Sequence, residues 1–400
     1  MESAVTPLIH LSFEIYNATY KFWLPYFLQF DLSSGVIRLK LVNNHLHLAP
    51  WYAVQFFIFF LTGIGSVAYV LIYELFLSPI RTIQIVNLFM ILWGGLILSL
   101  LFTLLLITRN HHKNLSAAFN RTLEEEKAII TAIKTVSTSS RNRKQPRHYS
   151  ILEFLFCTVP LGASVLMIFS IFFLVPLDID PICYIAQQHI LPHPYFHTQV
   201  QIITSYLIRL VLGMIFSIEL CRLTTNTGLI LVTAGLVANS ILSKLELGLL
   251  SSRRLIIHYI RLRIIWHTVN WVSDSVNFVG VVAGQVITTL TICFGIRAWD
   301  KFPLFLSFLF TTCAFGFLCT SVIFLSLIGH AAEKVERFIE SNRQRAFAQV
   351  GKNAISYKRW KAQQPAKIHC GSFFAFKKRT IFTYLEVLLN NVINGLLIVQ

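Results

Sequence analysis

The chain has 400 residues, of which 55% are hydrophobic and only 13% charged, with a mean hydropathy of +0.64. A soluble domain carries about 25% charged residues, so this composition excludes a soluble globular enzyme and a disordered chain and leaves a polytopic membrane protein. The net charge of +16 reads as basic residues gathered in cytoplasmic loops, so no nucleic-acid partner is expected.

The N-terminus begins Met1-Glu2-Ser3, with no basic n-region and no small-residue cleavage site. No cleavable signal is expected, and the first true span must direct insertion. Residues 1–50 read as a cytoplasmic N-terminal segment. A span needs about 20 mostly apolar residues. Runs of that kind occupy 51–73, 84–107, 151–175, 277–297, 303–329 and 380–400. The run 201–243 is also apolar but is interrupted by Arg209, Glu219 and Arg222. It is either one long helix projecting past the bilayer or a half-buried segment followed by a span.

Charge decides the topology. Segments 1–50, 108–150, 244–276 and 330–379 hold three, nine, five and twelve of the 34 Lys and Arg, whereas 176–200 holds none and carries Asp178 and Asp180. The positive-inside rule puts the four basic segments in the cytoplasm. The run 201–243 must then cross once. The expectation is an all-α integral membrane protein with seven transmembrane helices, N-terminus inside, C-terminus outside, and helices extending into the cytoplasm. Residues 51–329 form a six-helix membrane bundle, 330–379 a cytoplasmic helical segment, and 380–400 a last span. This is opposite in orientation to a G-protein-coupled receptor. The sequons at Asn17, Asn114 and Asn120 fall inside and should be unglycosylated.

The inner segments are more than linkers. Leu115 to Ile133 carries apolar residues at helical spacing, with Glu124, Glu125 and Glu126 on another face. In 330–350, Val335, Phe338, Ile339, Ala346, Phe347 and Val350 fall near one helix stripe. The stretch 136–150, TVSTSSRNRKQPRHY, reads as a mobile basic loop.

The last span carries Thr383, Glu386, Asn390 and Asn394 at spacings of three, four and four, which puts them on one helix face. A Glu at membrane depth normally faces water or protein. Four copies around an axis would make a polar, cation-attracting pore lining; alternatively the Asn side chains glue helices together. Arg209 would meet a ligand carboxylate or pair with Asp178, Asp180 or Glu74. Glu219 and Arg222, three apart, would satisfy each other.

Trp93, Tyr206, Gln285, Thr288, Phe310 and Thr311 lie in outer or middle parts of spans 2, 4, 5 and 6. Together with Arg209 they are candidate ligand-binding residues, since aromatic walls with few polar groups suit a small-ligand cavity. Facing lipid is their simpler alternative. His189, His193 and His197 imitate a metal stripe, but Pro192 and Pro194 break the helix it would need. His111-His112-Lys113 reads as a solvated inner face. Seven Cys without a CxxC, and no hydrolase, zinc or phosphate-loop motif in a usable context, leave no enzyme, metal or cofactor expected. A secondary transporter or other polytopic membrane protein is the alternative function, although no internal repeat appears.

Seven spans with an inside N-terminus, Ala118-Phe119-Asn120 after span 2, and Pro365 followed by Gly371-Ser-Phe373-Phe374 before the last span resemble the arthropod gustatory and odorant receptor superfamily. Thr383-Tyr384 is similar to the Thr-Tyr that opens that family's last-span motif, with Asn390 where a Gln is usual. The chain thus resembles a divergent gustatory receptor. The resemblance implies a tetrameric, homomeric or heteromeric, ligand-gated, non-selective cation channel of the plasma membrane. The last span of each subunit would line the pore, and a small-molecule tastant or odorant would bind the outer half of each helix bundle.

Overall fold

The computed structural model describes residues 3–33, 35–73, 76, 85–136, 199–247, 249–297, 304–351 and 354–398. The expected span 151–175, nearly all of the basic loop 136–150, the turn near 298–302, Glu74, Asp178, Asp180, His189, His193 and His197 lie outside the described residues.

The N-terminal 50 residues fold as a packed unit. Helix α1 (Pro7–Thr19) starts where the Thr6 hydroxyl accepts the Ile9 N–H (3.2 Å) and Pro7 supplies a preset φ. A hairpin follows, β1 (Leu28–Asp31) with β2 (Arg38–Leu41), in antiparallel register Leu28↔Leu41 to Asp31↔Arg38. Neither strand is expected from an all-α reading. The hairpin is docked by Asn120, whose amide accepts from Leu39 N–H (2.9 Å) and donates to Leu39 C=O (3.0 Å). The Asn17 amide likewise donates to Phe30 C=O (2.9 Å). Both sequon side chains are therefore engaged in packing.

Helix α2 (His45–Val54) begins six residues before the expected span, because Asn44 caps it by accepting from Leu46 and His47 N–H. It runs on through a π-helical stretch, Gln55–Gly65, into α3 (Ser66–Ile72). Helix α4 (Ile85–Asn110) is followed after one residue by α5 (His112–Val136). His112 is drawn into the joint: its Nδ1 sits 2.6 Å from Arg109 C=O, and burial pushes its pKa down. The expected solvated face at 111–113 is therefore only partly so.

Three long helices build the frame. Helix α6 (Gln199–Glu246) is continuous over 48 residues, about 72 Å at 1.5 Å per residue. The first of the two readings for 201–243, one long helix, is the one observed. Helices α7 (Ser252–Arg297) and α8 (Leu304–Val350) are nearly as long. A short α9 (Ile355–Lys361), a two-residue hairpin β3 (His369–Cys370) with β4 (Phe374–Ala375), and α10 (Thr380–Ile398) complete the described chain. Among the described residues four helices are long and apolar enough to cross a membrane, within Ile202–Glu246, Asp274–Ile296, Ala314–Val350 and Thr380–Leu397.

The main core is shared by most of the helices. It joins Ile9, Phe13 and Trp51 to Ile129 of α5, Ile241 of α6, Tyr259 of α7, Phe338 of α8 and Trp360 of α9. Val335, Phe338, Ile339 and Ala346 are buried there as the spacing predicts. Phe347 and Val350 of the same stripe are exposed, although the Phe347 ring still lies 5.7 Å from that of Tyr357 on α9.

Candidate functional site

Helix α10 has two unlike faces. Tyr384, Leu388 and Val392 are buried, and a cluster of Leu325 from α8, Cys370 and Phe376 packs with the first two. The approach to α7 is close. A Cβ on Gly395 would sit 2.9 Å from Cys293 Sγ, and that thiol donates to Val392 C=O (3.5 Å). On the other face Thr383, Glu386, Asn390 and Asn394 are all exposed. Phe382, Leu389 and Ile393 flank them, also exposed.

The foot of α10 is fixed to α7 by the Gly-Phe-Phe segment. Gly371 takes a φ of +57°, the left-handed region that glycine enters without strain. Its N–H donates to Asp274 C=O (3.0 Å), the Asn277 amide donates to His369 C=O (3.1 Å), and Phe373 stacks on Phe278 at 5.1 Å.

Three ionic contacts tie the elements around this frame. Glu219 and Arg222 pair at 3.5 Å, as their spacing predicts. Glu219 also accepts from Trp51 Nε1 (3.1 Å), Gln55 Nε2 (2.8 Å) and Trp23 Nε1. Arg222 donates to Leu24 C=O (2.5 Å) and lies over the Tyr26 ring at 4.8 Å. The pair thus anchors the N-terminal unit to α6, a role its spacing alone does not reveal.

Glu125 and Glu126 are buried, which corrects their placement on a face away from the apolar stripe. Each has a cation on another helix, the condition under which a charge tolerates burial. Glu125 lies 2.5 Å from His258 Nδ1 and 3.8 Å from Arg261 of α7. Glu126 accepts from Lys244 Nζ (2.5 Å), Ser240 Oγ (2.7 Å) and Ala4 N–H (2.7 Å). Burial alone would raise its pKa, but these donors outweigh burial and hold it below the ordinary value.

The candidate ligand residues are spread over α4, α6, α7 and α8. Tyr206 is half-buried and Arg209 buried on α6. Thr288 of α7 is fully buried and spends its proton on Gly284 C=O (2.6 Å). Gln285 Nε2 is buried without a partner among the described residues, as are Thr289 Oγ1 and Tyr384 OH. Thr311 is exposed and donates to Ser307 C=O (2.9 Å). Trp93 and Phe310 lie on α4 and α8, with side chains outside the described set. A cavity of about 650 Å³ opens elsewhere, between α1, the β1–β2 turn and α5, and none of these seven residues lines it.

Long apolar helices that share a packed layer, with a shorter helix that keeps one polar face open, define a mainly helical multi-pass membrane fold. The fold is that of an insect olfactory receptor. The chain is similar to the structure of the insect olfactory receptor OR5 from Machilis hrabei, with a TM-score of 0.61 at 13% identity over 97% of this chain and 98% of that one. It is similar also to OR5 in complex with eugenol, with a TM-score of 0.56 at 12% identity over 98% and 97% of the two chains. No family model and no curated protein sequence matches the chain. The expected resemblance thus holds in the fold.

Proposed function

We propose that this chain is a divergent member of the insect odorant and gustatory receptor superfamily. It acts as a gustatory-receptor-like, ligand-gated, non-selective cation channel of the plasma membrane, gated by a small-molecule tastant or odorant. Seven helices cross the bilayer, with the N-terminus inside and the C-terminus outside, and four subunits surround a pore. The observation that carries this reading is the exposed polar face of α10. Glu386 lies six residues into a mainly apolar helix and is its one ionisable carboxylate, open on the side away from its own subunit. An isolated carboxylate facing lipid is costly. Four such faces around an axis place Glu386, Asn390, Asn394 and Thr383 in water, where the carboxylates attract cations.

The ligand site in this reading is the outer region bounded by α4, α6, α7 and α8, with Trp93, Tyr206, Arg209, Gln285, Thr288, Phe310 and Thr311 around it. The buried Gln285 Nε2, left without a partner among the described residues, is the donor there best suited to a ligand hydroxyl or carbonyl oxygen.

The test is current recorded from cells expressing this chain alone while a panel of small odorants and tastants is applied. An inward cation current with four-fold particles by electron microscopy is the expected result. Monomeric particles without current refute the channel.

A further inference from the structure

The turn leading into α10 carries Lys377, Lys378 and Arg379 in succession, all exposed. Lys377 and Arg379 have no acidic partner among the described residues, and Lys378 reaches only Glu333, at 4.0 Å. Three adjacent exposed cations with one long acidic contact between them leave most of their charge open to a partner outside the subunit.

Their height is set by contacts along α7. Trp360 of α9 donates to Ser252 Oγ (3.1 Å), at the polar start of α7. From there the chain climbs back: Tyr259 OH donates to Gln364 C=O (2.8 Å), and Gly371 N–H reaches Asp274 C=O. Asp274 is where the apolar stretch Asp274–Ile296 begins. Ser252 and Asp274 stand about 33 Å apart along the helix axis at 1.5 Å per residue. The basic turn comes directly after this hairpin, at the entry of the apolar helix Thr380–Leu397. The cluster Lys358, Arg359 and Lys361 of α9, equally exposed, sits at the far end.

The turn is also held in place. The Lys377 N–H donates to Thr380 Oγ1 (2.9 Å), and Thr380 N–H donates back to Lys377 C=O (2.9 Å). A Cβ on Gly329 of α8 would meet Lys377 O at 3.0 Å and Lys378 Cα at 3.2 Å, so the backbone lies directly on that glycine. Phe374 and Phe382, 42% and 70% exposed, flank the three cations.

We propose that Lys377, Lys378 and Arg379 form a docking surface for anionic phospholipid headgroups of the cytoplasmic leaflet, with the Phe374 ring set into the interfacial zone. The occupant follows from the pairing of chemistries. Phosphate oxygens match the three cations, and the neighbouring exposed Phe374 ring favours a headgroup that carries its acyl chains over a free soluble anion. The site ties the foot of the last helix to the bilayer surface. The leaflet assignment rests on the orientation proposed above.

The full-length chain purified in detergent is titrated with a fluorescent short-chain phosphatidylinositol bisphosphate and, separately, with its free inositol phosphate headgroup. Each basic residue near a membrane surface contributes about fivefold, so the triple variant Lys377→Gln/Lys378→Gln/Arg379→Gln is expected to bind the lipid about a hundredfold more weakly. The control Lys358→Gln/Arg359→Gln/Lys361→Gln makes the same charge change and should stay within about twofold of wild type, since it lies far from the interface. Equal losses in the two triples, or no loss in the first, overturn the site. Free headgroup binding as tightly as the lipid overturns the lipid as occupant. If the first triple no longer elutes at the size of wild type, the single Arg379→Gln is used, with about fivefold expected and no change overturning the site. Detergent exposes both sides, so these results do not depend on orientation. Lys367→Cys, probed on intact cells with a membrane-impermeant maleimide, does. Protection supports the cytoplasmic leaflet, whereas labelling above wild type overturns that assignment through the orientation beneath it.

Discussion

Glu126 is 1% exposed, and its carboxylate is shared by Lys244, Ser240 and the backbone of Ala4. Removing one partner of such a buried pair leaves an uncompensated charge and costs about 3–5 kcal/mol, more than the pair itself contributes. Lys244→Met should therefore lower thermal stability sharply, and adding Glu126→Gln should restore much of the loss. Equal unfolding temperatures for Lys244→Met and wild type would contradict the pairing. The sign with pH follows from the depressed pKa. The stabilisation is complete above the ordinary carboxylate value of about 4.3 and is lost as pH falls through the depressed folded value. Glu126→Gln should flatten that acid limb of the unfolding curve. The sequence shows three consecutive Glu, which read as a face apart from the apolar stripe, and it gives no sign of where the cations of other helices lie. Glu219 and Arg222 were legible as a pair because both partners sit on one helix three residues apart. Trp23, Trp51 and Gln55, which complete that contact, come from distant segments and carry no local signal.

Between elements, the contact of α7 with α10 depends on a missing side chain. A Cβ at Gly395 would stand 2.9 Å from Cys293 Sγ. Ala gains about 1 kcal/mol over Gly in a helix, while forcing an extra methyl into a packed contact costs about 1–3 kcal/mol. The clash is expected to win. Gly395→Ala should unfold at a lower temperature in detergent, and Cys293→Ala in the same chain should relieve it. A destabilised double variant would show that the strain lies elsewhere. The long helices were legible because hydropathy runs of 20 residues or more leave little choice of structure. The hairpin Leu28–Asp31 with Arg38–Leu41 was not: four-residue strands are too short for a period of two to stand out. The start of α2 at His45 was missed for another reason. The cap at Asn44 lies ahead of the apolar run by which a span is recognised.

At the scale of the molecule, the proposed topology rests on charge and the proposed assembly on the open face of α10. If the basic segments lie inside, a tag before Met1 should be reached by antibody only after permeabilisation, and one after Gln400 on intact cells. The reverse labelling would contradict the seven-helix orientation. The polar face of α10 was legible in its spacing, and the structure adds that the opposite face, Tyr384 with Leu388 and Val392, is buried in the subunit. The candidate ligand residues were less legible, since aromatic and polar residues in spans look alike whether they face a cavity, lipid or a neighbouring helix. The central claim is that four polar faces of α10 meet water around an axis. Reversal potentials of ligand-evoked currents in Glu386→Lys, under asymmetric cation and anion gradients, test it most directly. The account predicts a shift toward anion permeation or a blocked current in a channel that still assembles, while Leu388→Ala, on the buried face, leaves selectivity unchanged. Unaltered reversal potential and current size in Glu386→Lys would contradict it.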